Sequence, residues 1–300
     1  MESTMKYGIY FAYWEKEWDV DQTKYIQKVK DIGFDDLEIS CAMLRDISTQ
    51  RLIDIRKMAE DAGVQLTAGY GPRQQENLAS PEPEIQKNAI AFFTDILQKL
   101  EILGVHTIGG GLYSYWPIDY SKPIDKARDW ETSVKNVRVV GKIARECGVD
   151  YCLEVLNRFE GYLLNTCDEC LKFVDEVDVA NVKVMLDTFH MNIEEDDMFA
   201  AIRKAGKKLG HFHVGENNRR LPGKGGLDWY HIGEALREIG YDGNVVMEPF
   251  VQQGGGVGND IKVWHDLSHG ADGKQLDDDA SNSVAYLRYC FSGPYSNYTN

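Results

Sequence analysis

Short runs of β-branched and aromatic residues alternate along the chain with longer segments whose apolar residues recur every three or four positions. These are the periods of buried strands and of helices with one buried face. The short runs predict eight strands: Tyr7–Tyr13, Asp36–Ser40, Gln65–Tyr70, Thr107–Leu112, Tyr151–Leu156, Val182–Leu186, Gly210–Val214 and Asn244–Glu248. Helix-period segments cover Asp21–Ile32, Thr49–Ala62, Glu84–Leu103, Ala127–Cys147, Cys167–Val177, Asp197–Ala205, Trp229–Ile239 and Gln275–Phe291. In Glu84–Leu103 the stripe consists of Ile85, Ala89, Phe92, Phe93, Ile96, Leu97 and Leu100. Gly33, Gly63, Gly104, Gly148 and Gly240 stand where helices must exit into the next strand, a position that needs positive φ. Eight even strand–helix units predict an α/β fold, a single (β/α)₈ TIM barrel. An open doubly wound sheet would want a Gly-rich phosphate turn after its first strand, and none is there. No linker or shift in composition divides the chain, so residues 1–300 read as one domain.

Composition narrows the field of functions. Thirty-three Lys and Arg against 48 Asp and Glu leave a formal charge of −15, a surface that repels phosphate backbones and anionic lipid. Nucleic-acid and membrane partners are therefore not expected. Met1–Lys6 lacks the basic-then-apolar pattern of a leader, and no apolar run reaches membrane-spanning length. The six cysteines are scattered and suit reduced thiols in a cytoplasmic protein. Cys167 and Cys170 form a CxxC, but with helical spacing and no second pair they read as a helix with a buried thiol.

The candidate chemistry sits at the C-terminal ends of the last four predicted strands, the face on which barrel active sites are built. Those strands end in Cys152-Leu-Glu154-Val-Leu-Asn157, Met185-Leu-Asp187-Thr-Phe-His190, His211-Phe-His213-Val-Gly-Glu216 and Val246-Met-Glu248-Pro-Phe250. Glu154, Asp187, His213 and Glu248 are spaced by about 30 residues, the length of one strand–helix unit. Each alone would be an ordinary cap, loop ion or core histidine. Together they are three carboxylates and an imidazole at equivalent depth, a cluster that costs several kcal/mol unless a cation occupies it. Oxygen-rich donors with one nitrogen suit Mn²⁺, Mg²⁺ or Co²⁺ better than a closed zinc site. His211 points to the same face as His213 but lies deeper, as a support for the ligands.

Weaker signals surround this cluster. Gly254–Gly258 lacks the Lys-Ser/Thr of a phosphate-binding loop and reads as a flexible loop. Arg219, Arg220 and Lys224 follow a ligand-bearing strand, where an arginine can clamp an anion or a substrate oxygen. Tyr10, Tyr13, Trp14, Tyr113, Tyr115 and Trp116 cluster near the ends of strands one and four, as core or as the apolar wall of a sugar site.

Several long motifs make the chain resemble the D-tagatose 3-epimerase family of ketose 3-epimerases, nearest to its D-psicose (D-allulose) 3-epimerase members. They are Gly8-Ile-Tyr-Phe-Ala-Tyr-Trp14, Ile108-Gly-Gly-Gly-Leu-Tyr-Ser-Tyr-Trp-Pro-Ile-Asp-Tyr120, Leu153-Glu-Val-Leu-Asn-Arg-Phe-Glu160, the run Val182–Asp196 and Val246-Met-Glu-Pro-Phe250. The resemblance implies a metal-dependent barrel using Mn²⁺ or Co²⁺, with Mg²⁺ a third candidate, assembled as a homotetramer. It implies that Glu154, Asp187, His213 and Glu248 are metal ligands and that Glu154 and Glu248 are the acid/base pair. Glu160, His190 and Arg219 would hold the O1-to-O3 end of a ketohexose, and Tyr10, Trp14, Gly69, Trp116 and Phe250 would shape the rest of the pocket. Gly111 departs from the family's alanine, leaving the pocket near the sugar tail roomier.

The implied reaction is interconversion of D-fructose and D-psicose, with D-tagatose and D-sorbose as further substrates. A carbon-bound proton beside a ketone is too weakly acidic for a carboxylate unless the enediolate is stabilised, which a metal on O2 and O3 would do. One glutamate then removes the C3 proton and the other returns one on the opposite face. The rivals are an aldose–ketose isomerase of xylose-isomerase type, a barrel endonuclease and a non-catalytic sugar-binding barrel. Seven histidines and the net charge of −15 weigh against the endonuclease.

Overall fold

The computed structural model describes residues 5–293; residues 1–4, part of the stretch read above for a leader, and 294–300 lie outside the described residues. Eight parallel strands close into a barrel in chain order: β1 (Lys6–Tyr10), β2 (Asp36–Ser40), β3 (Gln65–Gly69), β4 (Thr107–Gly110), β5 (Asp150–Glu154), β6 (Val182–Asp187), β7 (Leu209–Val214) and β8 (Asn244–Met247). β8 returns to β1 through pairs such as Lys6 with Asn244. The helices are α1 (Tyr25–Ile32), α2 (Thr49–Ala62), α3 (Pro83–Leu103), α4 (Lys126–Glu146), α5 (Cys167–Val177), α6 (Thr188–Glu194), α7 (Met198–Ala205), α8 (Trp229–Glu238), α9 (Gly255–Ile261) and α10 (Gly273–Phe291).

Helix α3 shows how the pattern becomes packing. It starts on Pro83, whose missing N–H has no partner to lose in a first turn. It buries Ala89, Phe93, Ile96, Leu97 and Leu100 of the predicted stripe, with Ile85 and Phe92 half-buried at its margin. It stops at Gly104, which takes φ +78° and donates its N–H back to Leu100 and Glu101. The other four predicted exit glycines also have positive φ. In α5, Cys167 and Cys170 are buried, and burial pushes both thiols up, Cys167 to about 12. Those are the properties of inert thiols. Among the described residues no helix is long and apolar enough to cross a membrane.

The structure departs from the expected boundaries in ways that shape the site. β1 ends at Tyr10 rather than Tyr13, because Phe11–Trp14 winds into a 3₁₀ turn. β4 ends at Gly110, where φ is +126° and a Cβ would lie 2.2 Å from the Tyr70 carbonyl oxygen. β7 starts at Leu209 and carries one extra residue, Gly210, opposite the step from Val184 to Met185. Gly254–Gly258 is not a flexible loop: Gly254 and Gly255 take positive φ and lead into α9, packed against the backbone of Lys16. α6 and α9 were not foreseen, since seven residues are too few to display a helical period.

Candidate metal and active site

Glu154 and Asp187 close β5 and β6, His213 is the penultimate residue of β7, and Glu248 follows β8 directly. The ladder pairs Glu154 with Met185, Asp187 with His213, and His213 with Val246. Asp187 thus stands two residues beyond the partner of Glu154, and Glu248 two beyond the partner of His213. A step of two keeps the side chain on the same, inward face. One ligand atom from each of the four lies within 4.8 Å of the others.

Asp187 and His213 each have one ligand atom committed elsewhere and the other left toward the cluster. Asp187 caps α6: its Oδ1 accepts from the Phe189 N–H at 2.7 Å, leaving Oδ2 to face the cluster. His213 Nε2 lies 2.7 Å from Glu38 Oε1, which leaves Nδ1 3.7 Å from Glu248 Oε2 with no hydrogen-bond partner, although it is buried. Burial first, and then the charges of Glu248 and Asp187 against the opposing pull of His213 and Arg219, push the Glu154 carboxyl well above its ordinary range. An open imidazole nitrogen among three carboxylates whose repulsion is incompletely offset is a donor set that fits a divalent cation.

Next to the cluster, a second group faces outward into the mouth. Arg219 has φ +63° and lies 4.1 Å from the centre of the Phe189 ring and 5.1 Å from that of Phe250. Its Nη1 is 3.1 Å from Asp187 Oδ2 and 3.2 Å from Glu248 Oε2, and its Nη2 is 3.7 Å from Glu160. The Asn157 amide nitrogen donates to Glu160 Oε1 at 3.0 Å and lies 2.8 Å from His190 Nδ1. An amide nitrogen only donates, so His190 Nδ1 accepts and Nε2 carries the proton. That Nε2 points at Glu154 Oε1, 3.6 Å away, and Asp187 Oδ2, 3.9 Å away. Burial holds the His190 pKa down to about 3 despite Asp187, so this ring is a neutral donor.

Three of the four cluster residues, without the fully buried Asp187, line a cavity of about 270 Å³, at the small end of ligand pockets and suited to one monosaccharide. Tyr10, Gly69, Trp116, Glu160, His190, Arg219 and Phe250 line it, as do Glu154, His213 and Glu248. Trp14 does not. It stacks on Tyr25 at 5.0 Å and donates from Nε1 to Asp277 at 2.8 Å, outside the barrel mouth. Trp18 lines the cavity instead, 6.2 Å from Phe250 and 6.3 Å from Trp116, its Nε1 donating to Asp260 of α9. The 3₁₀ turn Phe11–Trp14 ends the strand at Tyr10, and Trp14, its last residue, packs on Tyr25 and not on the cavity. Asn157, Trp18 and Glu38 were missed. A charged Glu38 in the middle of a barrel strand was a readable signal; nothing local marks Trp18.

Comparisons with known proteins agree on one group. The family model of xylose isomerase-like TIM barrels matches residues 26–271. The chain is 58% identical to the D-psicose 3-epimerase of Ruminiclostridium cellulolyticum over 285 residues, 95% of this chain and 97% of that protein. It is 51% identical to the D-psicose 3-epimerase of Agrobacterium fabrum over 289 residues, 96% of this chain and all of that protein, 100%. A crystal structure of D-psicose 3-epimerase with D-tagatose from Clostridium cellulolyticum superposes with a TM-score of 0.95 at 57% identity, covering 96% of this chain and 100% of that one.

Proposed function

The chain belongs to the xylose isomerase-like TIM barrels and, within them, to the D-psicose 3-epimerases, and we propose that it interconverts D-fructose and D-psicose at C3 on a divalent metal held by Glu154, Asp187, His213 and Glu248. As such it is a carbohydrate epimerase of the isomerase class. The observation that carries the metal reading is the buried, unpartnered Nδ1 of His213 beside three carboxylates. The donor chemistry favours Mn²⁺ or Co²⁺, with Mg²⁺ a third candidate. Such an ion, when bound, supplies Lewis-acid stabilisation of the negative charge that develops on the substrate oxygens.

The protein's own groups do the rest. Of Glu154 and Glu248, one accepts the C3 proton and the other, protonated, returns one on the opposite face, which inverts the centre. Burial and the neighbouring carboxylates of Glu248 and Asp187 raise the Glu154 carboxyl, a shift that favours its neutral form. His190 Nε2–H and the Arg219 guanidinium donate to the O1-to-O3 end of the ketose, with Glu160 accepting from a hydroxyl. Tyr10, Trp116 and Phe250, with Trp18 in place of Trp14, cover the apolar side of the sugar and exclude water. D-tagatose and D-sorbose are proposed as a further substrate pair.

We further place the protein in the cytoplasm, as one barrel domain in a homotetramer. The six buried free cysteines suit a reducing compartment, and exposed Phe159 and Trp264 offer apolar surface to a neighbouring subunit. The deciding experiment incubates metal-loaded protein with D-fructose, D-psicose and D-tagatose and identifies products chromatographically. A new ketose epimeric at C3 supports the reading; an aldose overturns it.

A further inference from the structure

Beneath the four proposed ligands the barrel interior carries charge that the epimerisation does not touch. Glu38, on β2, is fully buried, and its two oxygens lie 2.6 Å from His211 Nε2 and 2.7 Å from His213 Nε2. Thr67 Oγ1, on β3, lies 3.1 Å from Glu38 Oε2 and 2.8 Å from Asp36 Oδ2. A hydroxyl has one proton, so both contacts are hydrogen bonds only if one of these carboxyls is itself protonated. Glu38 has an imidazole nitrogen on each oxygen and is the natural anion. Asp36 has no cation beside it, and burial followed by the charge of Glu38 pushes its carboxyl well above the ordinary range. The donors therefore run one way: Asp36 O–H to Thr67, Thr67 O–H to Glu38, and both imidazole N–H groups to Glu38.

We propose that Glu38, oriented by Thr67 and Asp36, is a positioning residue that fixes His213 as the Nε2–H tautomer and so turns the lone pair of Nδ1 toward the metal. A neutral imidazole offers one lone pair, on whichever nitrogen is not bonded to the carboxylate. His211 completes the clamp: it occupies the second Glu38 oxygen, so the carboxylate has no free rotation. Gly69 makes room for it, since a Cβ there would lie 3.0 Å from Glu38 Oε1. Glu38, His211 and His213 are also close enough to ligate an ion of their own. His213, however, would have to give up both ring protons to serve two ions at once, and hydrogen bonds account for the spacing without that cost. The inference rests on the proposed metal site.

The test titrates Mn²⁺ alone into metal-free wild type, Glu38→Gln, Thr67→Val and Thr67→Ser by calorimetry, with folding followed by circular dichroism. Nitrogen-15 spectra of the histidines in the Mg²⁺-loaded wild type report the tautomer directly. Expected are one Mn²⁺ per chain, an affinity weakened about 10–100-fold in Glu38→Gln, a smaller loss in Thr67→Val that Thr67→Ser restores, and a proton on His213 Nε2. Equal affinity of Glu38→Gln and wild type overturns the proposal, as does a proton on His213 Nδ1. Two ions in wild type and one in Glu38→Gln overturn it by making Glu38 a ligand. No Mn²⁺ bound to wild type sinks the metal site itself, a separate failure. If Glu38→Gln does not fold, the threonine pair and the wild-type spectra decide.

Discussion

Arg219 Nη1 lies 3.1 Å from Asp187 Oδ2, the oxygen that Asp187 turns toward the proposed metal. The arginine is held there independently of that carboxylate, by its left-handed backbone and the flanking rings of Phe189 and Phe250. It therefore stays aimed into the cavity whether or not a cation shares the carboxylates. Arg219→Ala should cost about 2–4 kcal/mol of transition-state stabilisation, roughly 30- to 1,000-fold in kcat/KM. Metal content by elemental analysis should remain near that of wild type, because a guanidinium is no ligand. A variant that loses its metal or unfolds would show that Arg219 has a different role.

Chelation should abolish turnover, and Mn²⁺ or Co²⁺ should restore it. The same treatment should lower the melting temperature, since the carboxylates are left with only Arg219 and His213 to offset them. For free metal at about 100 times its dissociation constant the lost linkage is about 2.7 kcal/mol, or roughly 4 °C in a chain of this size. Full turnover in protein shown to be metal-free by elemental analysis contradicts the metal site.

His190 gives the pH dependence a definite sign. Its folded pKa is about 3 against 6.5 for a free imidazole, so between those values the unfolded chain binds the additional proton. Stability contributed by keeping this ring neutral is complete above about pH 6.5 and is lost as the pH falls, at up to about 1.4 kcal/mol per unit. Urea unfolding of metal-free protein from pH 7 to pH 5 should show a shallower slope for His190→Asn than for wild type. Parallel slopes would mean that the folded imidazole titrates as it does in the unfolded chain.

Two adjacent glycines should respond in opposite ways to the same substitution. At Gly111 a Cβ would meet only Leu156 Cδ1, at an ordinary 3.6 Å, so Gly111→Ala should fold and melt close to wild type. It should change KM unequally for D-fructose, D-psicose and D-tagatose, because Gly111 lines the cavity. At Gly110 the Cβ would lie 2.2 Å from the Tyr70 oxygen at φ +126°, and Gly110→Ala should be poorly folded. Calorimetric melting separates them; a Gly111→Ala that is as unstable as Gly110→Ala would show that this strand end is tighter than its geometry.

The barrel was legible because its signals are local: strand and helix periods, helix-exit glycines, and acidic residues recurring at one strand end after another. Strand ends were less so. β1 stops at the 3₁₀ turn Phe11–Trp14, and Trp18, not Trp14, lines the cavity. The motifs brought His190, Glu160 and Arg219 to the site, but not Asn157, whose amide bridges the first two. Glu38 reaches His213 across the barrel, 175 positions apart in sequence, and no window of sequence contains both. The bulge at Gly210 is equally silent, being a property of how β6 and β7 pair.

The two-base scheme makes the sharpest demand on the chemistry. Glu154 and Glu248 are assigned to opposite faces of C3, so protonation on each face should depend on its own carboxylate. In D₂O, wild type should place deuterium at C3 of the epimerised ketose, read by NMR of the product. Glu154→Gln and Glu248→Gln keep the side-chain volume and one ligand oxygen but remove the group that accepts the proton. Each should lose epimerisation by about 10²–10⁴-fold, the usual contribution of a general base. Exchange can outlive epimerisation, because the surviving carboxylate can remove and return a proton on its own face without inverting the centre. One variant should therefore exchange the C3 proton of one epimer and the other variant that of the opposite epimer. Loss of all exchange in both variants, with metal still bound, would mean the two glutamates act as a unit and not as separate bases. Deuterium at C2 of an aldose product, with C1 labelled in the recovered ketose, would replace epimerisation by aldose–ketose isomerisation on the same site.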